Sequence, residues 1–281
     1  MNHLLSRLFH GNRLKLSYIA ASFSGLDRNA SDDTVKTLLK LYNALLANHL
    51  KDAELTLAVS FLDYKLDILD SAMGNALQAQ SLKSDYEQAY LQELRILGKK
   101  DANAAQLRLA QIVALFPDNQ RLRLQYARNL TQTNLAEAAI QFEELLKQSP
   151  GDGNIQLALA LTYYQQEDLE QAKKHFLPLE HAAAQEATAN YYLGKIAQQQ
   201  ESPHDAIRYY SQVKPSKEFL PALARAVDLM HKTEQQDLAL QLITGHQLSA
   251  KEEFQEGLSL LLADHYRHIG NQQQAERAFD E

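Results

Sequence analysis

A regular spacing of small side chains is the feature that most restricts how this chain can fold. Six alanines each follow a short polar stretch, and each precedes a bulky apolar residue by four positions. They are Ala105, Ala138, Ala172, Ala206, Ala239 and Ala275. The spacings between successive alanines are 33, 34, 34, 33 and 36. A fixed period of this length is typical of arrays of stacked repeats.

The remainder of each repeat predicts a pair of helices. An apolar residue followed by a small one comes at a constant distance before three of the alanines, as in Leu193–Gly194. Polar turns separate the two halves. Pro117 and Pro150 lie equally far after the repeat alanines that precede them, and a proline at this point ends a helix. Ala172 and Gly194 are predicted at close helix contacts, where a larger side chain would overpack. Bulky residues fill the space between neighbouring pairs. These are Tyr163, Phe176, Tyr210 and Phe279.

This pattern resembles the tetratricopeptide repeat (TPR), a helix–turn–helix unit with small residues where its two helices touch. The resemblance covers residues 86–281 and implies an all-α fold, a right-handed α-solenoid of stacked TPR-type helical hairpins. We expect about six repeats, of which the last is incomplete because Phe279 falls in mid-helix. The chain therefore looks like a fragment of a longer array, or like one whose end is covered by something else, because terminal repeats normally need a polar cap.

The part of the chain before this array is predicted as two further segments. Residues 32–85 carry two apolar stripes with helical spacing, which predict two degenerate hairpins or, alternatively, an N-terminal helical domain stacked on the array. Asp70 and Ser71 are predicted to cap a third helix there. In residues 1–31, Arg7, Arg13 and Lys15 precede a modest apolar stretch, which predicts either a first amphipathic helix or a weak secretion signal.

Composition and motifs argue against several functions. The net charge of −7 is unfavourable for binding nucleic acid, and no apolar run is long enough to span a membrane. The chain has no cysteine, and the common phosphate-loop, nucleophile-elbow and zinc-protease signatures are absent. His265 and His268 share a helix face, but neither a cysteine nor a third nearby histidine supports a metal site. We therefore predict no catalytic residues, no metal and no cofactor.

The resemblance also implies where a partner binds. In this family the first helix of each hairpin lines a concave groove that receives a peptide or a helix. The residues implied at this groove are Arg121, Leu124, Arg128, Leu161, Tyr164, Tyr191, Tyr192, Lys195, Gln198, Arg225, Asp228, His231 and Arg267. Aromatic, aliphatic and arginine side chains are typical of recognition patches, and the excess of basic groups favours a partner segment that carries carboxylates. The family's Lys/Asn clamp for terminal carboxylates does not carry over, because asparagine does not recur at its positions.

These features predict a scaffold or adaptor that binds another protein or peptide and catalyses nothing. Two alternatives stay open: a substrate-selecting solenoid of a larger enzyme whose catalytic domain is absent, and a structural array that self-associates through its terminal hairpins. A second resemblance, carried by the stretch around Tyr192–Ala197 and by Phe219–Ala222, is to bacterial TPR lipoprotein adaptors of Gram-negative outer membranes. This second resemblance implies a periplasmic location. Without it, a cytoplasmic location is expected. A lipoprotein needs a cysteine near its start, which this chain lacks.

Overall fold

The chain is almost entirely helical. A computed structural model describes residues 31–248 and 251–280, with the backbone alone at 279 and 280. These ranges contain 15 α-helices, one short 3-10 helix and no strand, which confirms the predicted all-α fold. None of these helices is both long and apolar enough to cross a bilayer. The predicted first helix or secretion signal in residues 1–30 and the side chain of Phe279 lie outside the described residues.

The chain divides into two compact units on either side of the Tyr126–Ala127 bond. The first unit begins with five helices, each packed against the next. They are α1 (Asp32–Asn48), α2 (Ala53–Lys65), α3 (Leu69–Leu82), α4 (Glu87–Lys100) and α5 (Ala102–Leu115). Helix α6 (Gln120–Leu130) contains the boundary between the two units.

The second unit continues as a series of antiparallel helices. They are α7 (Leu135–Gln148), α8 (Gly153–Gln165), α9 (Leu169–Phe176), a 3-10 turn (Leu177–Leu179), α10 (Glu186–Gln199), α11 (Pro203–Ser211), α12 (Phe219–Lys232), α13 (Gln236–Gln247), α14 (Glu252–His268) and α15 (Gln272–Asp280). Consecutive helices pack against each other, and α12 also packs against both α10 and α14. The helices α8, α10, α12 and α14 are the first members of four successive hairpins, and we call them the A helices.

Short polar side chains start many of these helices. The carboxylate or amide oxygen of Asp52, Asp101, Asn134 and Asp168 accepts a hydrogen bond from a backbone N–H of the first turn, which satisfies a donor that the helix itself cannot. The predicted cap at Asp70–Ser71 was wrong. Helix α3 begins at Leu69 without a side-chain cap, so both residues lie in its first turn.

The hairpin turns share one backbone feature. The loop after α2 and the loops after all four A helices each contain one residue with a positive φ, between 56° and 77°. These residues are Asp67, Glu167, Glu201, Glu234 and Gly270. A left-handed residue at this point reverses the chain within a few residues, so the second helix packs back on the first.

The core of the second unit is built from the repeating small and bulky residues, as predicted. Ala172, Ala206 and Phe176 are completely buried. A Cβ atom placed on Gly194 would lie 2.5 Å from Cδ1 of Tyr210, so only glycine fits at this contact. Tyr210, predicted in the core, is 1% exposed, and the neighbouring Tyr209 is buried as well, at 5% exposure.

The first unit has a more polar core. Glu93 of α4 is 6% exposed, and its carboxylate accepts hydrogen bonds from Gln80 of α3 at 2.8 Å and from Arg108 of α5 at 2.7 Å. Gln92, also buried, donates to the carbonyl oxygen of Ser60 on α2 at 3.3 Å. These contacts join four successive helices and give each of these buried polar side chains a partner.

Candidate functional site

Three tyrosine rings and one lysine come together on two neighbouring A helices. Tyr164 lies on α8, while Tyr191, Tyr192 and Lys195 lie on α10. The ammonium nitrogen of Lys195 is 4.9 Å from the ring centroid of Tyr164, 5.1 Å from that of Tyr192 and 5.8 Å from that of Tyr191. All three distances are within the range of cation–π attraction. We call these four residues the tyrosine–lysine patch.

The patch stands on the core of the second unit. The Tyr192 ring stacks on fully buried Phe176, with centroids 5.4 Å apart and planes 8° apart. Tyr164 meets Tyr192 edge to face at 4.9 Å, and Tyr191 lies 6.1 Å from Tyr210. The three patch tyrosines are half-buried, so part of each ring remains accessible. Because their rings are held from beneath, little side-chain entropy remains to be lost when something binds to them.

A chain of contacts connects the core to the next A helix. The absence of a side chain at Gly194 leaves room for the Tyr210 ring, whose hydroxyl donates to Oε1 of Gln198 at 3.0 Å. The same oxygen accepts a hydrogen bond from Arg225 of α12 at 3.4 Å. Burial raises the pKa of Tyr210 well above its usual value, so the hydroxyl keeps its proton and remains a donor. Gln198 therefore connects buried Tyr210 to the exposed Arg225 of the next A helix.

The basic groups on this face fall into two classes. Lys232 and Arg267 each form an ion pair on their own helix, with Asp228 at 2.7 Å and with Asp264 at 2.5 Å. Within the described ranges, Lys195, Arg225 and Arg128 have no carboxylate within 4.0 Å. Their charge is therefore not neutralised by this part of the chain.

The other predicted residues are less closely associated. Leu161 of α8 is half-buried and packs against the main core. Arg128 is exposed near the end of α6, on the second-unit side of the boundary. Arg121 and Leu124 are exposed and half-buried respectively, and both belong to the first unit. Of the predicted groove residues, Tyr164, Tyr191, Tyr192 and Lys195 are in direct contact with one another. Gln198 and Arg225 contact each other and are linked to the patch through Tyr210.

The histidines of α12 and α14 correct an expectation from the sequence. His231, predicted at the groove, is in contact with both His265 and His268, so the expectation that no third histidine lies near this pair was wrong. Nε2 of His231 and Nδ1 of His265 are 2.9 Å apart, and the rings of His231 and His268 are stacked 4.0 Å apart. In the described part of the chain, no three His, Cys, Asp or Glu side chains are arranged to hold a metal ion.

Sequence reasoning assigned Tyr210 to the core alone and missed its second contact. Its ring fills the space beside Gly194, but its hydroxyl orients Gln198, and through it Arg225. The available signal was the spacing. The spacing between Gln198 and Tyr210 equals the spacing between Gly194 and the repeat alanine Ala206. Residues with this spacing face each other across the two helices of one hairpin.

Comparison with solved structures identifies the fold. Neither a protein-family model nor a curated protein sequence matches the chain. It is similar to a chain in the structure of Naa15/Naa10 bound to HypK-THB, with a TM-score of 0.62 and 13% identity over 93% of this chain. This match spans 43% of the other chain.

A second similar structure is matched over almost its whole length. The C-terminal part of a TPR repeat-containing protein from Cytophaga hutchinsonii matches 94% of this chain and 99% of its own, with a TM-score of 0.54 and 14% identity. Together with the hairpin turns and the glycine and alanine contacts, these matches show that the chain has the fold of the tetratricopeptide-repeat proteins.

Proposed function

We propose that the chain is an adaptor that binds an extended segment of another protein, and that the second unit makes this contact with the tyrosine–lysine patch and Arg225. The proposal rests chiefly on one observation: three half-buried tyrosine rings surround an ammonium group that has no carboxylate partner among the described residues. The proposed role is binding rather than catalysis.

The chemistry of the patch favours a partner with both carboxylates and apolar side chains. Tyrosine rings supply large, stiff contact area at low entropic cost, and residues of this kind often dominate binding energy. Lys195 and Arg225 project from neighbouring A helices, and both can pair with an acidic side chain. Arg128 extends the proposed basic surface. Leu161, Asp228, His231 and Arg267 of the second unit, and Arg121 and Leu124 of the first unit, remain predicted contacts.

Similar folds support the proposal at a general level. The structure that contains Naa15 and Naa10 is described as bound to HypK-THB, so a protein of this fold is found in a complex with other proteins. We transfer from this only the capacity to hold a partner.

A selection from a displayed peptide library, carried out with the full chain, tests the proposal. We expect the selected peptides to be rich in Asp and Glu beside aromatic or aliphatic residues. Tyr191→Ala should lower the affinity of the chain for these peptides about 30-fold, which corresponds to the roughly 2 kcal/mol typical of an aromatic anchor. Tyr191 is the suitable target because Tyr192 is stacked on the core and its truncation would disturb Phe176.

Charge is tested separately by removing it with little change in volume. Lys195→Met and Arg225→Met should lower affinity most at low salt and reduce its dependence on ionic strength. The matched control is Lys174→Met, which removes an exposed lysine from α9, outside the A helices. Equal losses in all three variants, or selection of peptides without acidic residues, would contradict the proposed surface. A chain that sediments as a dimer and selects no peptide would favour self-association instead.

A further inference from the structure

A histidine occupies a core position of the last described hairpin. His265 comes ten residues before the repeat alanine Ala275, and it is 1% exposed. Residues at the same distance before the three preceding repeat alanines, Ala172, Ala206 and Ala239, are buried as well. They are Thr162, Ile196 and Leu229. The last hairpin therefore has an ionisable group where the three preceding repeats have a neutral one.

His265 is also part of the contact between two hairpins. Its Nδ1 lies 2.9 Å from Nε2 of His231 on α12, and the His231 ring stacks on that of His268 with planes 3° apart. A hydrogen bond between two imidazole nitrogens needs one N–H donor and one free lone pair, so it cannot form when both rings are protonated. Three imidazolium ions at these separations would also repel one another.

The surrounding charges come from all four helices of the two hairpins. On α12, Asp228 is paired with Lys232, and on α14, Asp264 is paired with Arg267. Asp237 of α13 favours the protonated form of His265. Glu276 and Arg277 of α15 are exposed and carry opposite charges.

Burial outweighs the nearby carboxylates. It lowers the pKa of His231 to about 4, with further lowering by the charges of His268 and His265. Burial, followed by the charge of His268, lowers the pKa of His265 as well.

We propose that His231, His265 and His268 act as an acid-sensitive latch, which holds the α14–α15 hairpin against α12 while the rings are neutral and releases it when they take up protons. This device is independent of any partner.

The direction of the pH effect follows from linkage. A histidine has a pKa of about 6.5 when the hairpin is released, and the docked pKa is lower, so the docked state binds fewer protons. Docking is therefore fully stable above about pH 6.5 and weakens as the pH falls towards about 4.

Hydrogen–deuterium exchange of the full chain, corrected for intrinsic rates at pH 7 and about pH 4.5, tests the latch. With allowance for solvent screening of half-exposed His231, we expect the protection of residues 252–278 to fall about tenfold or more in acid. Protection of α8 and α10 should be retained. His265→Leu, which installs the residue found at position 229, should keep the hairpin protected at both pH values.

Controls distinguish the latch from general acid effects. His204→Gln, which changes an exposed histidine on α11, should behave like the wild type. If the hairpin of His265→Leu is unprotected already at pH 7, the His268→Gln variant provides the test instead. Removing the charge of His268 should shift the release of the hairpin to lower pH while the buried ring of His265 stays in place. Equal protection at both pH values, loss spread evenly over the chain, or an acid response in His265→Leu like that of the wild type would overturn the proposal.

Discussion

The contact between Gly194 and Tyr210 gives the sharpest test of the packing. A Cβ at position 194 would lie 2.5, 2.6 and 2.9 Å from three atoms of the Tyr210 ring. The ring cannot move away easily, because it is 1% exposed and its hydroxyl is bonded to Gln198. Gly194→Ala should therefore overpack the contact at a cost of about 1–3 kcal/mol.

A matched glycine separates this cost from helix propensity. Gly74 lies within α3, and a Cβ there meets no atom within 4 Å. Gly74→Ala should stabilise the protein by about 0.5–1 kcal/mol, because alanine is the better helix former. Gly194→Ala gains the same propensity, so the difference between the two variants in the free energy of unfolding measures the steric cost. Circular dichroism at 222 nm during thermal or urea unfolding provides this difference.

A double-mutant cycle completes the test. In a Tyr210→Ala background the ring is gone, so Gly194→Ala should change stability about as much as Gly74→Ala does. If Gly194→Ala stabilises the wild type as much as Gly74→Ala, the close approach of the two side chains, and with it the repeat register, is wrong.

The remaining predictions concern metal and tyrosine ionisation. Adding EDTA should leave the thermal midpoint unchanged, and stoichiometric zinc that survives purification would contradict the prediction that the chain holds no metal. Burial, and the hydrogen bond that its hydroxyl donates to Glu143, raise the pKa of Tyr163 to about 12. The stability that this protonated phenol contributes is present below about pH 10 and lost as the pH rises towards about 12. In an ultraviolet titration at 295 nm, Tyr163→Phe should therefore remove one late-titrating tyrosine; loss of one that titrates near pH 10 would refute the assignment.

The period and the small residues were sufficient to predict the hairpins of the second unit. The residue types at Ala172, Gly194 and Phe176 are set by packing within a helix pair. Ala172 and Phe176 fill buried positions, and Gly194 leaves room for a neighbouring side chain. The polar turn after α10 was predicted too, but the left-handed backbone of Glu201 was not, since glutamate is not a residue that signals positive φ.

The candidate site was harder to predict, because its contacts join different repeats. Tyr164 and Lys195, like His231 and His265, are separated in sequence by nearly the full length of one repeat. Each pair meets only because successive A helices pack side by side. A repeat count assigns such residues to a common face, but it does not say which of them touch. The histidine contact could have been suspected from His265, which interrupts a series of core positions.

The polar contacts between helices also bear on whether the hairpins are interchangeable modules. Glu93 fits only between a helix that offers Gln80 and one that offers Arg108, and Tyr163 requires Glu143 on the preceding helix. A duplicated or transposed hairpin would bury one member of such a set without the other, at a cost of several kcal/mol for a carboxylate. Shuffling experiments that treat the units as equivalent should therefore fail at these junctions, although every hairpin follows the same plan. The order of the hairpins is thus encoded in their core, and lengthening this protein requires new junctions as well as new repeats.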